Sequence, residues 1–189
     1  MAMESNGQGI PNVCESVSNH QSSVGQSAGR IVRAAVHTDA GAIADIYNHH
    51  VLAGGATFDV LPWTATQVSE LLLIKSPETW VVCVDGEQML GWASARQFSI
   101  RYGFRMSLEW AIYLSPEAIG KGVANSLIVD VEQRCRDGQV HHLMSRVIAT
   151  NQRSMAFHYR HGYELVGVQK EIGNLDNQWI DLAILQKIL

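Results

Sequence analysis

Strict alternation in some stretches, and helical spacing of apolar positions in others, divide this chain into short elements. Arg30–Val36 alternates as a strand. Thr38 or Asp39 can cap a helix running to about Val51, which puts Ile43, Ile46, Tyr47 and His50 on one face. Ala53-Gly54-Gly55-Ala56 ends it, and a second helix is expected over Thr64–Ile74. Trp80–Val84 is apolar throughout, and Asp85-Gly86 turns it toward a partner strand, Gln88–Ala95. A polar connection, Arg96–Arg105, carries Phe98, Tyr102 and Phe104. Met106–Leu114 is a strand stopped by Ser115-Pro116. Gly120–Asp137 is a helix with Val123, Leu127, Ile128 and Val131 inward, stopped by Gly138. Leu143–Ala149 is a strand, Asn151–His161 a helix ended by Gly162, and Tyr163–Gln169 and Trp179–Leu185 are closing strands. The order β-α-α-β-β-β-α-β-α-β-β predicts an α+β fold, an α/β sandwich with hairpin pairing rather than regular βαβ alternation.

Composition sets the class. The chain has 189 residues, 47% hydrophobic and 17% charged, with formal net charge −4, as in soluble globular domains. Mild acidity argues against nucleic acid as a partner, because phosphate binding needs a basic field. No apolar run approaches the roughly 18 residues of a membrane span. Residues 1–29 contain no Lys, Arg, Phe, Trp or Tyr, and are expected to be a disordered tail before a single domain, 30–189. The tail holds Glu4 and Glu15 and no base, so the domain is nearer neutrality than the whole chain. Cys14, Cys83 and Cys135 form no CxxC pair and read as reduced thiols in a cytoplasmic protein.

Three local features carry chemistry. Gly120-Lys121-Gly122-Val123-Ala124 opens a helix after a strand and loop; free N–H groups there, with the helix dipole, suit a phosphate. No Lys-Ser/Thr follows, so it is not a Walker loop. Glu109, between Leu108 and Trp110, is expected to be partly desolvated, with a raised pKa that suits a general base; a solvated strand face or an ion pair with Arg105 or Arg101 is the plainer reading. The helix from Asn151 carries His158 and His161, with no carboxylate or cysteine at ligand spacing, so no metal site is expected.

In this order the three features resemble the GNAT superfamily of N-acetyltransferases. Ile119-Gly120-Lys121-Gly122-Val123-Ala124 is similar to its Gln/Arg-x-x-Gly-x-Gly/Ala loop, with Ile119 in place of Gln or Arg. Asn151 through His158-Tyr159-Arg160-His161-Gly162-Tyr163 is similar to its Asn…Tyr-x-x-x-Gly-Phe ending. Over 31–189 the chain looks like the phosphinothricin and methionine sulfoximine N-acetyltransferase group. The shared pieces are Ile46-Tyr47-Asn48-His49, Ala56-Thr57-Phe58, Gly103-Phe104-Arg105-x-Ser107-Leu108-Glu109, Ile112-Tyr113-Leu114, Asn151-x-x-Ser154 and Trp179-x-Asp181.

The resemblance implies a GNAT-like mixed, mostly antiparallel central sheet flanked by helices, with a splayed strand pair for the CoA arm. It implies acetyl-CoA as acetyl donor, held by Ile112, Tyr113, Leu114, Gly120, Lys121, Gly122, Val123, Ala124, Asn125, Asn151 and Arg160. It assigns Glu109 as base and His158 as acid or shared base. Phe58, Ser99, Ile100, Arg101, Phe104, Glu109, Trp110 and Ala111 would line an acceptor pocket for a small amine. Relatives carry arginines at the positions of Ser99 and Gln178, which suit a carboxylate or phosphinate, leaving Arg101 or Arg105 to take that part. A homodimer is implied as well. The competing readings are a non-catalytic acyl-CoA-binding module, or an acetyltransferase for an aminoglycoside or protein amine.

Overall fold

A computed structural model describes residues 29–73 and 76–189. Residues 1–28 of the expected tail lie outside the described residues, as do Ile74 and Lys75 at the expected end of the second helix. The elements run β1 (Arg30–Ala34), α1 (Ala40–Ala53), α2 (Ala65–Leu71), β2 (Thr79–Asp85), β3 (Gln88–Gln97), β4 (Ser107–Leu114), α3 (Val123–Asp137), β5 (His142–Ile148), α4 (Gln152–Arg160), β6 (Glu164–Leu175) and β7 (Gln178–Ile188). The strands form one sheet in the order β1-β2-β3-β4-β5-β7-β6. Only β4 and β5 are parallel; every other pairing is antiparallel.

Both sheet faces are covered, which is why β2 reads as an unbroken apolar run. On one face α1 and α2 bury Ile43, Ile46, Tyr47 and Val68 against Trp80, Val82 and Trp92. On the other, α3 and α4 bury Leu127, Ile128, Val131 and Phe157 against Val81, Ala93, Leu108 and Trp110. Successive strand residues alternate between these two cores, so immediate neighbours in β4 or β5 belong to opposite sides of the molecule.

Most element ends fall within two residues of those read in the sequence, and the larger differences lie at α2, α3, β6 and β7. Helix α3 starts at Val123, because Gly120 and Gly122 hold φ of +79° and +81°, a left-handed backbone that cannot continue a helix. Helix α2 ends at Leu71, with Thr64 capping its start through an oxygen that accepts from the Gln67 N–H. Strand β6 runs on to Leu175 because Asp176 and Asn177 both take positive φ and close a tight hairpin, and β7 runs to Ile188, which pairs with His142 of β5.

Candidate active site

Strands β4 and β5 pair only where Ser107, Leu108 and Glu109 face His142, Leu143 and Met144. Past Glu109 each follows its other neighbour: β4 stays registered with β3 as far as Leu114 opposite Gly91, and β5 with β7 as far as Ile148 opposite Leu182. The two strands therefore splay, and beyond Glu109 the edge of β4 that faces the gap has no strand partner. A cavity of about 640 Å³ occupies the opening.

Its outer end is the glycine loop. Gly120, Gly122, Val123, Ala124 and Asn125 line it, together with Ile112, Tyr113, Leu114, Asn151 and Arg160. Backbone bonding in the loop goes to Lys121 and Asn125, whereas the N–H groups of Gly120, Gly122, Val123 and Ala124 find no acceptor among the described residues. Gly122 caps a 15-residue helix without a side-chain bond. Free amides at a helix N-terminus are an anion site, so this end fits the pyrophosphate of a CoA. Lys121 is the exception among the expected cofactor residues: it does not line the cavity, and its carbonyl accepts from the Arg30 guanidinium at 2.7 Å. Asn151 has a structural task as well, since its Oδ1 accepts from the Ser154 N–H and caps α4. His50, not singled out for the site from the sequence, also lines the cavity and donates Nε2–H to the Leu114 carbonyl at 2.8 Å. Its inward place on α1 was the available signal.

Glu109 sits where the strands part. Its two carboxylate oxygens accept from Arg146 Nε and an Nη of the same guanidinium, at 2.6 and 2.8 Å. This two-point pair replaces both readings made from the sequence. The partner is neither Arg101 nor Arg105. Nor does the group sit in an apolar pocket, because Leu108 and Trp110 point to the opposite face of β4 and are buried in the other core. Side-chain exposures of 27% for Glu109 and 53% for Arg146 leave the pair in reach of solvent. The signal for Arg146 was a charged side chain in a strand, one step out of phase with the inward Leu143, Ser145 and Val147.

His158 is 2% exposed and lies on the other face. Its Nδ1 is 2.8 Å from the Ser154 carbonyl, and its Nε2 is 3.0 Å from Ser145 Oγ. Trp110, Phe157 and Tyr163 pack around the ring. Burial pushes its imidazole below the ordinary range, with the Ser154 bond working the other way. The residue reaches the cavity wall alongside Ser145, which the sequence reading did not name.

The acceptor side corrects the sequence reading most. A second cavity of about 550 Å³ opens on the α1 face and shares Glu109, Ala111, Tyr113 and Arg146 with the first. Of the expected acceptor residues, Glu109 and Ala111 line it. Trp110 is on the opposite face. Phe58 lines neither cavity; its ring lies against Gly173, where an added Cβ would fall 2.1 Å from it. Ser99, Ile100, Arg101 and Phe104 line neither cavity, and Ile100 is 94% exposed. The wall residue from that connection is Phe98, which meets Phe104 edge to face at 5.3 Å. Arg105 stacks over Tyr102 at 4.3 Å instead of entering the cavity. The cationic lining comes from Arg146 and from Arg96, which stands opposite Glu109 in the β3–β4 register and has no carboxylate partner among the described residues.

Comparison with known proteins decides what this gap holds. Residues 32–184 match the model of the acetyltransferase (GNAT) domain. The chain belongs to the GNAT acetyltransferases. It is 31% identical over 161 residues to a phosphinothricin N-acetyltransferase of Alcaligenes faecalis, covering 84% of this chain and 82% of that one. It is 28% identical to an L-methionine sulfoximine/L-methionine sulfone acetyltransferase of Salmonella typhimurium, covering 82% and 92%. Its fold matches a phosphinothricin acetyltransferase of Sinorhizobium meliloti solved with AcCoA, at TM-score 0.80 and 31% identity, covering 85% and 89%. This GNAT acetyltransferase uses acetyl-CoA as acetyl donor, and the free amides of its glycine loop fit that role. Among its described residues no helix is long and apolar enough to cross a membrane.

Proposed function

We propose that this enzyme acetylates the primary amine of a small amino-acid-like anion, of the type of phosphinothricin or methionine sulfoximine, with Glu109 as general base. The observation that carries the reading is Glu109 itself. It is the one carboxylate common to both cavities, standing where the donor gap meets the acceptor cavity. The names of the relatives point to the same substrate class.

The division of labour follows from the geometry. Backbone amides of Gly120, Gly122, Val123 and Ala124 and the unpaired edge of β4 at Ile112–Leu114 hold the donor, with Asn125, Asn151 and Arg160 along its path. Acetyl-CoA supplies an activated acetyl group when bound. An amine arrives as an ammonium and needs to lose a proton before it can attack. Glu109 takes that proton directly or through water, and Arg146 fixes the carboxylate's direction while it does so. Arg96 and Arg146 give an acceptor's anionic group two cationic partners in the same cavity. His158 serves proton transfer on the far side of the gap.

The enzyme pairs as a homodimer in this reading. Leu165, Val166, Val168 and Ile172 of β6 and Trp179 of β7 are exposed. A second copy covering them would remove these apolar side chains from water. Sedimentation reads the outcome: a dimer that Trp179→Glu dissociates supports it, and a monomer at micromolar concentration refutes it. The activity is tested by thiol release from acetyl-CoA with phosphinothricin, methionine sulfoximine, an aminoglycoside and a peptide amine. Turnover confined to the first two is expected. Turnover only on the last two would refute the acceptor class, and none at all the transfer itself.

A further inference from the structure

We infer that Ser145 is the residue through which the buried His158 exchanges protons with the gap, and that the Ser145 hydroxyl protonates the departing thiolate. This rests on the acetyl-transfer reading above.

The hydrogen bonds of His158 decide its tautomer. A carbonyl oxygen only accepts, so the 2.8 Å contact with Ser154 places a proton on Nδ1. In the neutral ring Nε2 is then the acceptor, and the donor 3.0 Å away is the Ser145 hydroxyl. The rest of the ring is enclosed by aromatic groups: Trp110 at 5.0 Å, Tyr163 at 5.3 Å and Phe157 at 5.7 Å between centroids. Trp110 Nε1 and the Tyr163 hydroxyl are buried without partners, so neither bonds to the imidazole. Among the described residues Ser145 is thus the only polar side chain on Nε2. It is 4% exposed, yet it borders the donor cavity. The arrangement, a hydroxyl on a ring nitrogen whose other nitrogen is oriented by a fixed acceptor, is that of a coupled proton pair.

The proton count closes within one turnover. Glu109 has already removed one proton from the ammonium on the other face and passed it to water. The substrate nitrogen then forms its bond to the acetyl carbon and becomes positively charged. Ser145 accepts a proton from that nitrogen and hands its own to His158 Nε2. The carbon–sulfur bond breaks with its electron pair on sulfur. Ser145 gives a proton to that sulfur and regains one from Nε2. The proton that leaves nitrogen is matched by the one that arrives at sulfur, and the ring ends neutral, as it began. Burial keeps the charged ring brief, which suits a transient carrier.

The test compares wild type with Ser145→Ala and Ser145→Thr, using acetyl-CoA and its selenoester analogue, whose selenolate leaves without a proton. Ser145→Ala should lower kcat with acetyl-CoA by about 100-fold, within the range of a lost acid–base group, and by less with the selenoester, which spares the transfer to the leaving atom but not the one from nitrogen. Ser145→Thr, which keeps the hydroxyl, should retain most of the rate. Calorimetric affinity for acetyl-CoA should be unchanged in both. Nitrogen-15 spectra of the unliganded protein should show His158 protonated on Nδ1, with an Nε2 hydrogen bond that Ser145→Ala removes. Four results overturn the inference while leaving the acetyl-transfer reading intact: an unaffected Ser145→Ala, an equal fall with both donors, an acetyl group recovered on Ser145, or a resting proton on Nε2. A wild type that acetylates no amine overturns that reading, and the relay with it.

Discussion

Glu109 and His158 lie on opposite faces of one sheet, and the two faces treat them in opposite ways. Glu109 keeps contact with solvent and meets a full charge, the Arg146 guanidinium, at two points. His158 is almost sealed, meets no charge among its hydrogen-bond partners, and is held by a carbonyl and a hydroxyl. A group that takes protons from an incoming ammonium has to return them to water, and the open face lets it. A group that passes a proton across a gap has to avoid losing it, and the closed face prevents that. The splay of β4 from β5 is what lets the two faces communicate.

The largest effect expected from disturbing this contrast is on turnover. Glu109→Gln should lower kcat by about 10²- to 10⁴-fold, as for other lost bases, while calorimetric affinity for acetyl-CoA stays the same. An unchanged kcat would remove Glu109 from its role. Next comes stability on the closed face. His158→Ala empties a buried, hydrogen-bonded site and should cost about 2–4 kcal/mol in denaturant unfolding. Specificity follows. Arg96→Ala should raise KM for an anionic amine by about tenfold, the loss of one charge-assisted contact, and leave a neutral amine unaffected. On the open face, Arg146→Gln should cost less than about 1 kcal/mol of stability, because exposed pairs contribute little. A loss as large as that of His158→Ala would break the contrast.

The smallest effect is a drift with pH. Burial lowers the His158 pKa, and those of His50 and His161, from the ordinary 6.5. The unfolded chain therefore takes up these protons at higher pH than the folded one does. Unfolding binds protons as pH falls through 6.5, so stability should decrease from pH 7 toward pH 5. Thermal melts across that range check the sign, and His158→Gln should flatten the slope.

Periodicity and punctuation made most of the fold legible. The element order was readable because each helix carries a cap or a glycine stop, and the strands show alternation or, in β2, an unbroken apolar run. The hairpin end at Asp176-Asn177 was not, since its positive φ values follow from pairing already made by β6 and β7. The glycine loop, Glu109 and His158 stood out in the sequence, and the structure brings all three to one cavity. Their surroundings were not legible. A linear reading puts Leu108 and Trp110 beside Glu109, whereas the pleat sends them to the other core and delivers Arg146 from a different strand. Ser145 and Arg96 are invisible for the same reason: each matters because of what stands across a gap or a ladder. The exposed connection around Ser99–Phe104 has no periodicity to fix its register, and there the expected acceptor wall moved to Phe98.

The most direct test of two proton tasks on two faces is the kcat of Glu109→Gln and Ser145→Ala with acetyl-CoA and with its selenoester. The selenoester should restore Ser145→Ala in part, because it removes the need for the proton at the leaving group but not for the transfer from nitrogen, and should leave Glu109→Gln slow. Restoration of both variants, or of neither, would contradict that division of tasks.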